Sequence, residues 1–452
     1  MSTLLTATSR SRFSLVFAIL CVLYTLWLLA CWPGVLGQDS LAVMREVESE
    51  RAFQAGKPAF WYAYVLSLYG PTRLVEVPII CQLVICALIC ARILTWMVEH
   101  EMYKSFWYGL LGVALAPSVV YYASSLYSDG IYAIATAGMM FEVWRSYRER
   151  RLDKTACWML LLTIPFALFS RPNGLINILA LIGLYFYLPN SGRWKLLAVV
   201  TPWCVLAVVT HTQFKYRAPI GTVFPLALYE TVGFMEHRPM GLWERNEPRV
   251  SHKTIEALTA SGKSLEHINS FYDHYYWDPL IFFPDGPNLL ALPELAKKTI
   301  VREFFTYNIW HNFPAFAASR VNIFLYAAFA NGGIPGPNNA ENILPQTLST
   351  SKIRFRNGSA HRVLMGWFDF TIKNRVIFWT PWVGLWLIAL GCLQTWRRRD
   401  HAGLMVCMVF VLQIAAVVCF SIAGEYRYLL AFFTAPLVML PVLHAPSTQV
   451  HA

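Results

Sequence analysis

An all-α, polytopic integral membrane protein is the fold class this sequence predicts, and its composition, its apolar runs and their lack of alternation carry the prediction. Of 452 residues, 56% are hydrophobic and only 14% are charged, where a soluble protein carries roughly 25% charged residues. Apolar runs lie near 13–32, 74–98, 106–125, 129–147, 156–170, 174–189, 194–211, 376–396, 402–421 and 425–442. They make about ten segments approaching the roughly 20-residue length that a bilayer core requires. Backbone N–H and C=O groups cannot stay unpaired in lipid, so each run is predicted to be a helix. The in–out alternation of a spanning β-barrel is absent.

Basic residues then order the runs across the membrane. A net charge of +11 would suggest nucleic acid in a soluble protein, but its placement argues for a topology signal. Arg145, Arg148, Arg150, Arg151 and Lys154 cluster between two runs, and Arg397, Arg398 and Arg399 between two others. Positive charge resists translocation, so such clusters mark cytoplasmic loops. With Arg10 and Arg12 inside, the first run exits and residues 33–73 form a first external loop. The second run returns near Glu99–Lys104, the third emerges at Tyr121–Asp129, and the fourth re-enters at the Arg145–Lys154 cluster. The fifth exits at Ser170-Arg171-Pro172-Asn173, the sixth returns near Arg193 and Lys195, and the seventh delivers a large extracytoplasmic loop. The last three runs put Arg397–Arg399 inside, the turn Ala423-Gly424-Glu425-Tyr426-Arg427 outside and the C-terminus inside. The predicted regions are a transmembrane module over 1–211, the external loop over 212–375 and C-terminal transmembrane helices over 376–452.

The ten cysteines lie within or at the ends of the apolar runs and none lies in the long loop, so no disulfide framework is implied. Leu28-Leu29-Ala30-Cys31 has the form of a lipoprotein cleavage site; the downstream spans favour an uncleaved first helix. Segment 212–375 is too aromatic to stay solvated, as in Phe271-Tyr272-Asp273-His274-Tyr275-Tyr276-Trp277. Phe283-Pro284-Asp285-Gly286-Pro287 and Gly332-Gly333-Ile334-Pro335-Gly336-Pro337 read as turns. Residues 290–312 suit an amphipathic helix lying on the membrane, and Phe313–Ala330, interrupted by Arg320 and Asn322, an interfacial or re-entrant one. His267, Asp273, His274 and Asp278 lack a reliable metal-ligand spacing. Tyr275, Tyr276 and Trp277 could stack on a saccharide, and Asn357-Gly358-Ser359 matches a glycosylation acceptor.

Four charged residues stand apart because the threading brings all of them out on one side. Asp39 follows Trp32-Pro33-Gly34 in Gly37-Gln38-Asp39-Ser40, and Asp129 closes Leu126-Tyr127-Ser128-Asp129. Either acid could serve only as a helix N-cap. Arg171 and Arg427 border apolar runs, where charge is costly and marks substrate pathways. A guanidinium fork suits phosphate oxygens. Glu425 and Tyr426 flank Arg427 and join it and Arg171 as candidate substrate-binding residues; a Glu425–Arg427 surface pair is the plainer alternative.

In organisation the chain resembles the GT-C superfamily of membrane glycosyltransferases that use polyprenyl-phosphate sugars. Trp32 through Ser40, Leu126 through Asp129, Ser170-Arg171-Pro172-Asn173 and Gly424-Glu425-Tyr426-Arg427-Tyr428-Leu429-Leu430 carry the resemblance, over about 10–210 and 376–442. It implies Asp39 as the first-loop catalytic aspartate and Asp129 as the second-loop acid. Many members pair acids in these loops; here Ser40 follows Asp39 and Tyr127-Ser128 precedes Asp129, which weakens the case for a divalent cation as cofactor, since hard cations want several oxygen ligands. The implied chemistry is sugar transfer from a polyprenyl-phosphate donor to a glycan, lipid or protein acceptor. Asp39 would be the general base, and Arg427 and Arg171 would stabilise the leaving phosphate. The implied location is a bacterial cytoplasmic membrane with the site facing outside. An O-antigen-type polymerase or ligase is the near alternative and a lipid-linked sugar flippase the non-enzymatic one, though internal repeats and broken midplane helices of transporters are not evident.

Overall fold

The computed structural model describes residues 8–52, 56–215, 223–236, 250–334, 336, 339–355 and 358–445. Among these the fold is all-helical, with β pairing confined to two isolated bridges, Val35 with Ser125 and Tyr276 with Ala423. Six helices are long and apolar enough to cross a membrane: Ser9–Ala30, Glu76–Glu99, Asn190–Gln213, Arg375–Arg398, His401–Phe420 and Tyr426–His444. Tyr103–Ala114 and Pro117–Ala123 add a seventh if taken as one span bent by 54°. The bend falls where Pro117, which has no N–H to continue the helix, opens the second segment.

The remaining three of the expected runs are helices of a different kind. Lys154–Phe169 and Pro172–Tyr187 are apolar but short. Ser128–Glu149 is long enough, yet it is wrapped by protein, every residue from Ser128 to Ser146 being buried. Its interior charges are matched within the bundle. Glu142 accepts from Arg92 at 2.8 Å and from Arg145 at 3.1 Å, and Arg145 reaches Asp153 at 2.9 Å. A buried charge left without such partners would cost several kcal/mol. The stretch expected as an external loop, 33–73, holds two helices, Gln38–Glu48 and the apolar Ala59–Thr72.

The described residues sort into two compact units. The first comprises 1–215, 334–414 and 427–452, and the second 216–333 and 415–426. Phe224, Leu228, Tyr229, Val232, Ile300, Phe304 and Ile323 form the core of the second. The amphipathic helix expected over 290–312 is broken into Glu294–Glu303, a π turn at Phe304–Asn308 and a short end at Ile309–His311. Its residues Ala296, Ile300 and Phe304 are covered by this protein core, while Leu295, Phe305 and Trp310 are exposed. Phe313–Ala328 is a 16-residue helix that is not among the candidate spans, and its buried Arg320 pairs with Glu230 and donates to the Ser421 carbonyl oxygen. The turn at 283–287 is present, closed by Gly286 N–H donating to the Phe283 oxygen at 3.0 Å. Pro335, Pro337 and Asn357, part of the second expected turn and of the glycosylation motif, lie outside the described residues.

Gly130 permits the central helix to lie against Pro117–Ala123, because a Cβ there would sit 2.4 Å from the Tyr122 carbonyl. Gly130→Val should therefore lower the melting temperature of the detergent-solubilised chain by several degrees, overpacking costing about 1–3 kcal/mol. Gly112, where an added Cβ meets nothing, is the control, and Gly112→Val should melt with wild type.

Candidate functional site

The first loop is shaped to deliver Asp39. The opening span ends at Cys31, and Gly34 N–H closes a turn on the Cys31 oxygen at 2.8 Å. Val35 then pairs with the second loop: its N–H donates to the Ser124 oxygen at 3.0 Å, and Leu126 N–H donates back to the Val35 oxygen at 3.3 Å. This bridge fastens the segment leading to Asp39 onto the segment leading to Asp129. Buried Gln82, inside the second span, steadies the far side by donating to the oxygens of Ala123 at 2.8 Å and Ser125 at 3.2 Å. Gly37 completes the contact. A Cβ there would lie 1.9 Å from the Tyr127 hydroxyl, so only glycine lets the Tyr127 ring close over the loop.

Neither acid is spent on capping. The Asp39 helix starts at Gln38 with Gly37 as N-cap, and Ser40 Oγ accepts from Gly37 N–H at 3.3 Å. The Asp129 helix starts at Ser128 with Tyr127 as N-cap and no side-chain capping bond. Capping by Asp39 or Asp129, the alternative role open to either acid, is therefore not what the structure shows.

Both carboxylates instead hold cations. Asp39 Oδ2 accepts from Lys57 Nζ at 2.6 Å and also pairs with Arg427 Nη1. Asp129 pairs with Arg171 Nη1. Arg171 stands between Lys154–Phe169 and the 3-10 turn Pro172–Asn177. At the end of that turn Asn177 donates to the Ala167 oxygen at 2.8 Å and accepts from Gln413. Aromatic faces tie the pairs together. Arg427 lies 5.1 Å from the Tyr127 ring centre and 5.4 Å from that of Tyr428, and Arg171 lies 5.1 Å from the same Tyr428 ring. Such distances are within the range of cation–π attraction.

Among the described residues, these pairs set three cationic side chains against two carboxylates. Burial works to raise the Asp39 pKa, but Arg427 and then Lys57 outweigh it and hold the carboxyl well below the usual range. Burial pushes the Lys57 ammonium below its ordinary value; Asp39 opposes this, while Arg427 and Arg171 add to it. Each side chain is only partly closed off, with Asp39 27%, Lys57 22%, Arg171 18% and Arg427 12% exposed. The cluster is thus largely buried, with more cationic side chains than carboxylates among the described residues.

Four of the expected residues, Asp39, Asp129, Arg171 and Arg427, are brought together in the first unit. Glu425 and Tyr426 belong to the second. There Tyr426 is fully buried and its N–H donates to the Gly332 oxygen at 3.3 Å, while Glu425 is half-buried beside Gly333. Lys57 is the functional candidate missed in the sequence. It sits in the same 33–73 stretch as Asp39, immediately before Pro58 and an aromatic helix, and a lone lysine opening an apolar helix was the available signal. Among the described residues no group of three or more His, Cys, Asp or Glu is placed to hold a metal ion. In the second unit His274 lies 3.5 Å from Glu236, and Asp273 is occupied by a turn, accepting from the N–H groups of Tyr275 at 2.7 Å and Tyr276 at 3.0 Å. The Tyr275 face proposed for a saccharide is stacked on Tyr326 at 3.9 Å.

Because its folded pKa is depressed, Asp39 contributes stability that is complete above the unfolded carboxylate value of about 3.9 and is lost only as pH falls through the lower folded value. Melting curves of wild type and Asp39→Asn in detergent should keep a constant separation between about pH 7 and about pH 5. A separation that shrinks over that interval would show that the cations do not hold Asp39 ionised.

No family model, curated protein or solved structure matches this chain.

Proposed function

We propose that this chain is a multi-pass membrane glycosyltransferase of about ten spans, in a bacterial cytoplasmic membrane. It would transfer a sugar from a polyprenyl-phosphate donor to a glycan, lipid or protein acceptor on the extracytoplasmic side. The observation that carries the reading is the pairing of Asp39 with Lys57 and Arg427, next to Asp129 with Arg171. A polyprenyl phosphate is an anion delivered from the membrane, and a largely buried cluster with more cationic side chains than carboxylates, in a bundle of apolar helices, matches it in both charge and setting.

The ion pairs suggest an order of events. In the free protein Asp39 is a poor base because two cations stabilise its ionised form. A donor phosphate that takes over Lys57 and Arg427 leaves Asp39 less stabilised and more basic, beside the anomeric carbon. Asp39 then takes the proton of the acceptor hydroxyl as the new C–O bond forms. The bond from the anomeric carbon to the phosphate breaks, its electrons staying on the polyprenyl phosphate, whose charge Lys57 and Arg427 offset. A single displacement inverts the anomeric centre. Asp129, held by Arg171, orients the acceptor. A divalent cation fits the cluster poorly, since both carboxylates already hold cationic side chains and a further cation would enter a site where these outnumber the carboxylates.

The test is transfer of label from a panel of radiolabelled polyprenyl-phosphate sugars into a membrane glycan extract, using the full chain in nanodiscs. Wild type should transfer, and Asp39→Asn should lose at least about a hundredfold, the lower range for removal of a general base, while still binding donor. Wild-type activity in Asp39→Asn would remove the general-base role. Leaflet-to-leaflet movement of intact lipid-linked sugar without transfer would favour a flippase instead. Arg427→Ala should raise the donor KM by about tenfold or more, as expected for losing a charge-assisted bond; an unchanged KM would contradict the phosphate clamp.

A further inference from the structure

The helix Ser359–Lys373 takes no part in the Asp39 cluster, and its surface is divided into three strips. One strip packs on the protein, with Phe368 and Thr371 buried. His361 Nδ1–H donates to the Ala30 oxygen at 2.5 Å, at the end of the first span. Trp367 Nε1–H donates to the Leu115 oxygen at 2.9 Å, at the break between Tyr103–Ala114 and Pro117–Ala123. The helix therefore lies against the end of the first candidate span and the break in the bent pair, and it runs into the candidate span Arg375–Arg398.

The second strip is apolar and uncovered. Val363 and Phe370, seven residues apart on one helix face, are 71% and 50% exposed, and Val376 and Ile377 at the start of the following span are 61% and 73% exposed. The third strip is charged with a basic excess: exposed Arg362, Asp369 and Lys373 recur at helical spacing, two basic residues to one acid, and exposed Arg375 follows just beyond. Between Lys352 and Arg375 the sequence places six basic residues against one acid.

We infer that Ser359–Lys373 is an interfacial helix that binds anionic phospholipid: Val363 and Phe370 enter the acyl region and Arg362, Lys373 and Arg375 take the headgroup phosphates. Charge selects the occupant. A neutral bilayer would cover the apolar strip equally well, but it gives no reason for a basic strip beside it, whereas anionic headgroups attract such a strip. Continuity with the membrane-crossing helices places the apolar strip at the bilayer edge, where an exposed valine and phenylalanine are expected to be lipid-covered.

The proposal is tested by placing a photocrosslinker at the apolar strip. The full chain carrying Val363→p-benzoylphenylalanine is reconstituted in nanodiscs of equimolar phosphatidylglycerol and phosphatidylcholine, irradiated, and its Val363 peptide analysed by mass. The expected result is a lipid adduct in which phosphatidylglycerol exceeds phosphatidylcholine by about twofold or more, as basic residues near a surface enrich anionic lipid. Adding Arg362→Gln, Lys373→Gln and Arg375→Gln should return the ratio to that of the mixture, with an unchanged gel-filtration profile. A wild-type ratio equal to the mixture, an undiminished ratio in the triple variant, or adducts to a second copy of the chain in place of lipid would each overturn it.

Discussion

A carboxylate enclosed at the end of a bundle of apolar helices is costly by several kcal/mol unless cations accompany it, and the grouping of Asp39 with Lys57 and Arg427 meets that condition with residues from three parts of the chain. Asp39 opens the Gln38–Glu48 helix, Lys57 precedes Ala59–Thr72, and Arg427 stands nearly four hundred residues later at the head of the last candidate span. Each would be unfavourable there alone. Together they draw the 33–73 stretch and the head of the last candidate span to one place, and they set the electrostatic character around them.

That arrangement relies on the backbone as much as on charge. The Val35–Ser125 bridge joins the two acidic loops, Gln82 braces the second of them from inside a span, and the missing Cβ at Gly37 admits Tyr127. Tyr127 and Tyr428 then offer their faces to Arg427, and Tyr428 also to Arg171. The guanidiniums are thus held by aromatic rings as well as by carboxylates. If an incoming phosphate draws them from Asp39 and Asp129, the rings can keep them in position. The same features that hold the cluster together would organise it around an anion.

The membrane character and helical class were legible because they follow from composition and run length. Six of the expected runs recur as helices long enough to span, but others were less plain. Ser128–Glu149 looks like a span in sequence, whereas its Glu142 and Arg145 are tolerable because neighbouring helices bury and pair them, information that no local pattern holds. The helix expected over 290–312 has the right amphipathic composition, and part of its apolar side joins a protein core with Phe224 and Leu228, since periodicity reports a covered face and not what covers it. At the site, isolated charges beside apolar runs pointed to Asp39, Asp129, Arg171 and Arg427. Lys57 escaped notice because it sits in a loop where a charged residue is ordinary, and only the fold reveals that its ammonium lies 2.6 Å from Asp39. Glu425 and Tyr426 were drawn in by sequence adjacency to Arg427, and they fall in the second unit.

The central claim is that this cluster recognises a lipid-borne phosphate, and the most direct measurement compares a polyprenyl phosphate with the matching polyprenol. Native mass spectrometry of the full chain, wild type and the Lys57→Met/Arg427→Gln variant, would report the bound fraction of each lipid. The account predicts that wild type retains the phosphate well above the alcohol. It also predicts that the variant loses at least about tenfold in phosphate affinity, in line with charge-assisted bonds worth ~1.5–3 kcal/mol, with the alcohol unaffected. Equal retention of phosphate and alcohol by wild type, or a variant that holds the phosphate as tightly as wild type does, would contradict it.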